Sequence, residues 1–153
     1  MGKVKYFAYG SNMYCEQMKC RCKSAARIGK ARLEGYDFVY DGYSGIWGGA
    51  VANIVKKEGS EVWGCLYEIN ESDLEKLDRY EGVKQGVYCK EEVIVIDDGG
   101  ERHKAIVYIR PKPEEQGNPS DKYRKTVMKG AEECGLPEWY IEEKLQGQYG
   151  EGN

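Results

Sequence analysis

The segment SDLEKLDRYEG, residues 72–82, puts a carboxylate where a helix should present apolar groups. Leu74 and Leu77 lie three apart, and Glu81 follows at the next helical step, so all three share one inward stripe. Asp73, Glu75, Lys76 and Asp78 fall mostly on other faces, where water is expected. Gly82 can end the helix in the left-handed conformation. A carboxylate on a buried stripe is costly without partners, and burial raises its pKa. A raised pKa is what a general acid/base needs near neutral pH. Spacing alone leaves a second reading open, in which the helix frays before Glu81 or its carboxylate merely bonds nearby amides.

A second candidate is YFAYGSNM, residues 6–13, where a strand runs into Gly10, Ser11 and Asn12. Backbone N–H groups in such a turn can form a concave nest for a carboxylate or phosphate, and Gly10 removes a side chain that would block close approach. Simple N-capping by Ser11 or Asn12 explains the same residues equally well. The spacing matches neither a dinucleotide fingerprint nor a phosphate-binding P-loop.

Other chemistries find little support. The one histidine, His103, sits in a strand-like run with no nucleophile elbow near it, which disfavours Ser-His-Asp or Cys-His catalysis. Cys15, Cys20 and Cys22 cluster, while Cys65, Cys89 and Cys134 are scattered, and none of the spacings is that of a zinc site. Free thiols on a helix and in the core are expected, and no metal. Tyr108 and Tyr123 could be polar handles in a pocket or ordinary core tyrosines with one hydrogen bond each.

The chain of 153 residues fits one domain, 1–153, and can bury a core without disulfides or metal. Its 23 basic and 26 acidic residues leave a net charge of −3, which does not suggest nucleic acid or an anionic membrane as partner. No signal-peptide h-region or membrane-length apolar run is visible, so a cytoplasmic location is expected.

These residues need elements to position them. Residues 3–9 read as a strand and 12–23 as a short helix. Residues 26–40 read as two strand pieces broken by Gly29 and Gly35, and 41–49 (DGYSGIWGG) as a glycine-rich loop with an exposed Trp47. Residues 50–55 and 62–69 read as strands joined by a KKEGSE hairpin. The 72–80 helix carries Ser72 and Glu75 at capping-box spacing. Strands 88–96 and 103–109 flank DDGGE, a hairpin turn. A Pro-rich loop spans 110–119, followed by helices over 120–134, capped by Gly135, and 137–145. Residues from about 146 onward read as a frayed tail. Few helices interrupt the strands, so the fold class is α+β: a small mixed, largely antiparallel β-barrel with flanking α-helices.

Taken in order, YFAYGSNM, WGGAVANI, EVWGCLYEI, LDRYEGVKQGVY and GAEECGLPEWY resemble the γ-glutamylcyclotransferase family, also called AIG2-like, over nearly the whole chain. Asn12 makes the resemblance closer to the γ-glutamylcyclotransferase branch proper than to the glutathione-specific branch. The resemblance implies release of 5-oxoproline from a small-molecule γ-glutamyl substrate, with no metal and no cofactor, and is compatible with a homodimer. It also implies that Tyr9, Gly10, Ser11, Asn12 and Met13 hold the glutamyl α-carboxylate, that Glu81 is catalytic, and that Tyr108 and Tyr123 line the pocket. Tyr80 stands where many relatives carry glutamine, and Met13 where leucine is commoner. The CEQMKCRC helix and the 41–49 loop are expected to border the entrance. Two rivals stay open: a relative that deprotects a γ-glutamylated intermediate, and a non-catalytic γ-glutamyl-binding module.

Overall fold

A computed structural model of the chain describes residues 2–147. Five strands close into a barrel in the order β1-β3-β2-β4-β5. The strands are β1 (Lys3–Ala8), β2 (Ala26–Ser44), β3 (Gly49–Asn70), β4 (Cys89–Asp97) and β5 (Arg102–Ile109). Neighbours pair antiparallel except β1 with β5, which meet in parallel at Tyr6 and Ile106. The helices are α1 (Cys15–Arg21), α2 (Glu71–Tyr80), α3 (Asp121–Cys134) and α4 (Glu138–Tyr140), the last continuing into a π-helical turn, Ile141–Leu145. The expected mixed barrel with flanking helices is therefore what forms. Among the described residues no helix is long and apolar enough to cross a membrane. The expected frayed tail lies, beyond residue 147, outside the described residues.

Tyr6, Phe7 and Ala8 are all buried, so neither face of β1 meets water along this stretch. A strand covered on both faces loses the alternation of a half-exposed one. Leu77 anchors α2 with its side chain wholly buried, a contribution of about 1.5–3 kcal/mol. The DDGGE hairpin forms as expected: Asp97 accepts from the amides of Gly99 and Glu101. Its carboxylate, that of Glu101 and the His103 ring bring their donor atoms within 4.8 Å of one another. His103 is already engaged on both nitrogens, accepting from Lys5 at Nδ1 and donating to Asp97 from Nε2.

The long hairpin departs from expectation. Neither Gly29 nor Gly35 breaks β2; each takes a positive φ at a shift in register with β3, so each makes a bulge. KKEGSE is likewise no hairpin. Glu34 faces Glu61 and Tyr36 faces Lys56, so the extra residues bulge out of one continuous β3. The 41–49 segment is mostly strand, with a tight turn at its tip.

Helix α2 also starts earlier than expected. Asn70 is its N-cap, no side chain caps it, and the Glu71 amide donates to the Gly2 carbonyl instead. Ser72 therefore lies inside the helix and no capping box forms. Asp73 is buried, not solvated, because it accepts from the Ser24 amide and hydroxyl. Helix α3 follows expectation, with Ser120 accepting from the Tyr123 amide and Gly135 left-handed at its end.

Candidate active site

Where β1 leaves the barrel the chain makes a single 3-10 turn, Ser11–Met13, before α1. The expected 12–23 helix is split because Tyr14 is extended. Here α3 comes so close that a Cβ on Gly130 would strike the Tyr14 nitrogen and the Met13 carbonyl carbon. Neither Ser11 nor Asn12 acts as a cap, since both helical segments start without a side-chain cap. Their side chains turn to Gln17, whose amide donates to Ser11 Oγ at 2.7 Å and to Asn12 Oδ1 at 3.0 Å. Tyr67 donates to the Asn12 carbonyl and Arg27 to the Met13 carbonyl, holding the turn from below. As in any first turn, the amides of Ser11 and Asn12 have no partner within the turn.

Glu81 is the C-cap of α2, and Gly82 beyond it is left-handed, φ +67°. The helix does not fray before Glu81: its amide bonds the Leu77 carbonyl at 2.8 Å. Its side chain faces a cavity of about 380 Å³ that Gly10, Ser11, Asn12 and Tyr9 also line. The carboxylate is half-buried and enclosed by protein, and desolvation pushes its pKa up to about 7 against the opposing pull of Arg21. Asn12 is its hydrogen-bond partner, with Nδ2 3.5 Å from Oε2. Arg21 also donates to Asn12 Oδ1, so the two donors on Oδ1 turn the Nδ2 end toward Glu81 and the Tyr6 hydroxyl.

Five buried tyrosines line the same space: Tyr6, Tyr9, Tyr88, Tyr108 and Tyr123. Burial raises the pKa of each, and the nearby Glu81 charge adds to the rise, so all stay protonated at neutral pH. Tyr9 donates to the Tyr108 carbonyl, Tyr88 to the Ala52 carbonyl and Tyr108 to Asp78. Tyr6 accepts from Asn12 and Tyr123 from the Ala52 amide, which leaves their own protons for a ligand. The buried Asp41 pairs with Arg110, whose guanidinium lies 4.9 Å over the Tyr88 ring.

The residues expected from sequence are thus largely brought together. Tyr9, Gly10, Ser11, Asn12, Glu81, Tyr108 and Tyr123 all line the cavity. Met13 does not: its side chain is wholly buried in the core, because the 3-10 turn points it inward. Trp47, expected to be exposed, packs edge-on to Tyr123 with ring centroids 4.9 Å apart. The cysteine-rich helix and the 41–49 segment border the entrance as expected, through Arg21 and residues 43–47. All six cysteines are free thiols, and none lines this cavity.

The AIG2-like family model matches residues 61–144. Human γ-glutamylcyclotransferase is 39% identical over 145 residues, covering 92% of this chain and 76% of the human one. The chain belongs to the γ-glutamylcyclotransferase family. The mouse γ-glutamylcyclotransferase is 37% identical with the same coverage. A solved γ-glutamyl cyclotransferase structure superposes with a TM-score of 0.89 at 37% identity, covering 95% of this chain and 88% of that one. The cavity also includes residues that sequence reasoning did not single out: Tyr6, Arg21, Tyr88 and Arg110. Tyr88 ends the LDRYEGVKQGVY motif and could have been found there. Arg21 and Gln17 carry no local signal, because only the packing of α1 brings them to Asn12.

Proposed function

We propose that this protein releases 5-oxoproline from γ-glutamyl amino acids or γ-glutamylamines, with Glu81 moving the protons. The observation that carries the reading is the shared cavity: Glu81, with a pKa of about 7, faces the Gly10–Asn12 turn across one space. The turn's amides and the Tyr6 and Tyr123 hydroxyls hold the glutamyl moiety and its α-carboxylate. The glutamyl chain curls so that its own α-amine lies against the γ-amide carbonyl carbon. Such intramolecular positioning can supply up to about 7–11 kcal/mol of a barrier.

The α-amine, with an ordinary pKa of about 8, gives its proton to the Glu81 carboxylate, a close match for transfer. Its lone pair attacks the γ-carbonyl carbon, a C–N bond closes the five-membered ring, and the carbonyl electrons move to oxygen. Protonated Glu81 then gives the proton to the departing nitrogen, and the ionised carboxylate takes the second proton from the now cationic ring nitrogen and passes it to the amine as it leaves. The carbonyl re-forms, the old C–N bond breaks, and 5-oxoproline and a free amine leave. The reaction as drawn needs no metal and no cofactor, and activity is expected to survive a chelator. We take residues 1–153 as one functional domain, and the six free thiols support a reducing, cytoplasmic setting.

The test is a 5-oxoproline release assay with the wild-type protein and Glu81→Gln. Release by the first and loss of turnover in the second, with ligand affinity kept, is the expected result. Near-normal turnover by Glu81→Gln overturns the role given to Glu81, and binding without release by the wild type identifies a binding module.

A further inference from the structure

Seven large hydrophobic side chains stand exposed among the described residues, and four of them line the mouth of this one cavity: Tyr43, Ile46, Tyr80 and Val87. Ile46 is 95% exposed and Tyr43 74% exposed. Apolar side chains scattered singly over a surface are ordinary, but a cluster at a cavity mouth marks a surface that a ligand covers.

The rim is also built. Tyr43 and Ile46 sit at the β2–β3 tip, where the Gly48 amide donates to the Ser44 carbonyl at 2.7 Å and the Trp47 amide to Ser44 Oγ. Trp47 then packs on Tyr123, so the tip is pinned to α3. On the other side the Val87 amide bonds the Gly82 carbonyl at 3.0 Å, holding Val87 directly beside the Glu81 turn. Tyr80 precedes Glu81 and lies 4.6 Å under the Arg21 guanidinium.

Charge is distributed the other way. The charged side chains lining the cavity are Glu81, Arg21 and Arg110. Arg110 is tied to buried Asp41, and Arg21 and Glu81 converge on Asn12 at the polar end. On the hairpin side the exposed lining side chains are apolar, and the cations near them are Arg110, paired with Asp41, and Lys122, 5.9 Å from the Trp47 ring. On the reaction proposed above, the glutamyl half fills the polar end, and the group expelled from Glu81's side projects toward the mouth.

We infer that the preferred leaving group is an amine or amino acid with a bulky apolar or aromatic side chain, which covers Tyr43, Ile46 and Val87. This inference rests on the proposed cyclisation and extends it to the leaving-group class. Small leaving groups such as glycine, and the polar cysteinylglycine of glutathione, leave the rim uncovered.

The experiment measures 5-oxoproline release and kcat/KM for γ-glutamylphenylalanine, γ-glutamylglycine and glutathione, with wild type, Ile46→Ser and Val87→Ser. The expected result is a phenylalanine-over-glycine ratio of about tenfold or more, the scale of apolar pocket discrimination. That ratio falls toward one in the two variants, whose parent side chains are exposed and not needed for the fold. A wild-type ratio near one, or a ratio unmoved by both substitutions, overturns the inference while leaving the reaction intact. Absence of 5-oxoproline from every substrate overturns the reaction and the inference together.

Discussion

Asn12 and Glu81 meet across 69 positions of sequence, with Asn12 Nδ2 3.5 Å from Glu81 Oε2 and 2.9 Å from the Tyr6 hydroxyl. From sequence, the turn was expected to act through its backbone and shape. The side chain of Asn12 instead links the turn to the carboxylate. Asn12→Ala removes that donor and leaves Gln17 and Arg21 facing a gap. A hydrogen bond to a charged group contributes about 1.5–3 kcal/mol, so kcat is expected to fall about tenfold or more. Steady-state kinetics check this, and an unchanged kcat would exclude Asn12 from the proton-transfer machinery.

Glu81 also links stability to pH. Its pKa is raised from 4.5 to about 7, so the folded state holds its proton more tightly than the unfolded state does. The stability conferred by this proton is complete below pH 4.5 and is lost as pH rises through about 7. At 1.36 kcal/mol per unit, the loss by pH 8 is about 3 kcal/mol at most. Glu81→Gln stays neutral and escapes it. Urea titrations should show the variant gaining on wild type between pH 5 and pH 8, while its turnover is lost; a constant difference would argue against the raised pKa.

Arg21 opposes that rise, since its charge favours ionised Glu81. Arg21→Met should push the Glu81 pKa higher and move the acidic limb of the kcat/KM profile toward alkaline pH. A base-form enzyme then loses activity at pH 6 more than at pH 8. A limb that stays in place would separate Arg21 from Glu81.

At Gly10, φ −121° and ψ −138°, the space a side chain would need is already taken. A Cβ would lie 3.0 Å from the Ala52 Cβ and 3.3 Å from the Tyr123 hydroxyl. Gly10→Val therefore displaces Tyr123 from the Ala52 amide and crowds the cavity. KM is expected to rise severalfold or more while the thermal midpoint changes little. Unchanged KM would count against this wall as a binding surface.

Asp41 is wholly buried and accepts from Arg110, Asn53 and the Glu114 amide. Removing one partner strands a buried guanidinium that lines the cavity. Asp41→Ala is expected to destabilise the fold by about 3–5 kcal/mol, measured by urea unfolding. A loss below 1 kcal/mol would mean that Arg110 finds water when Asp41 is gone.

Local patterns carried much of the fold. The β4–β5 hairpin announces itself through DDGGE, and α3 through Ser120 and Gly135. The length of β2 and β3 was not legible. Gly29 and Gly35 look like strand breakers in a single chain, but opposite a partner strand they make bulges, and only pairing decides between the two.

Residue order along the chain is enough to end a strand in Tyr-Gly-Ser-Asn and to set a carboxylate on the inner stripe of a helix. Both follow from the period of strand and helix, which is a local property. That the two face one cavity, that Asn12 turns its amide to Glu81, and that Arg110 is tied to Asp41 beside the same space follow from packing between distant segments. It also decided that Met13 packs inward and Trp47 packs on Tyr123. Those facts depend on barrel closure and on the approach of α1 and α3, contacts between distant segments that no local spacing encodes.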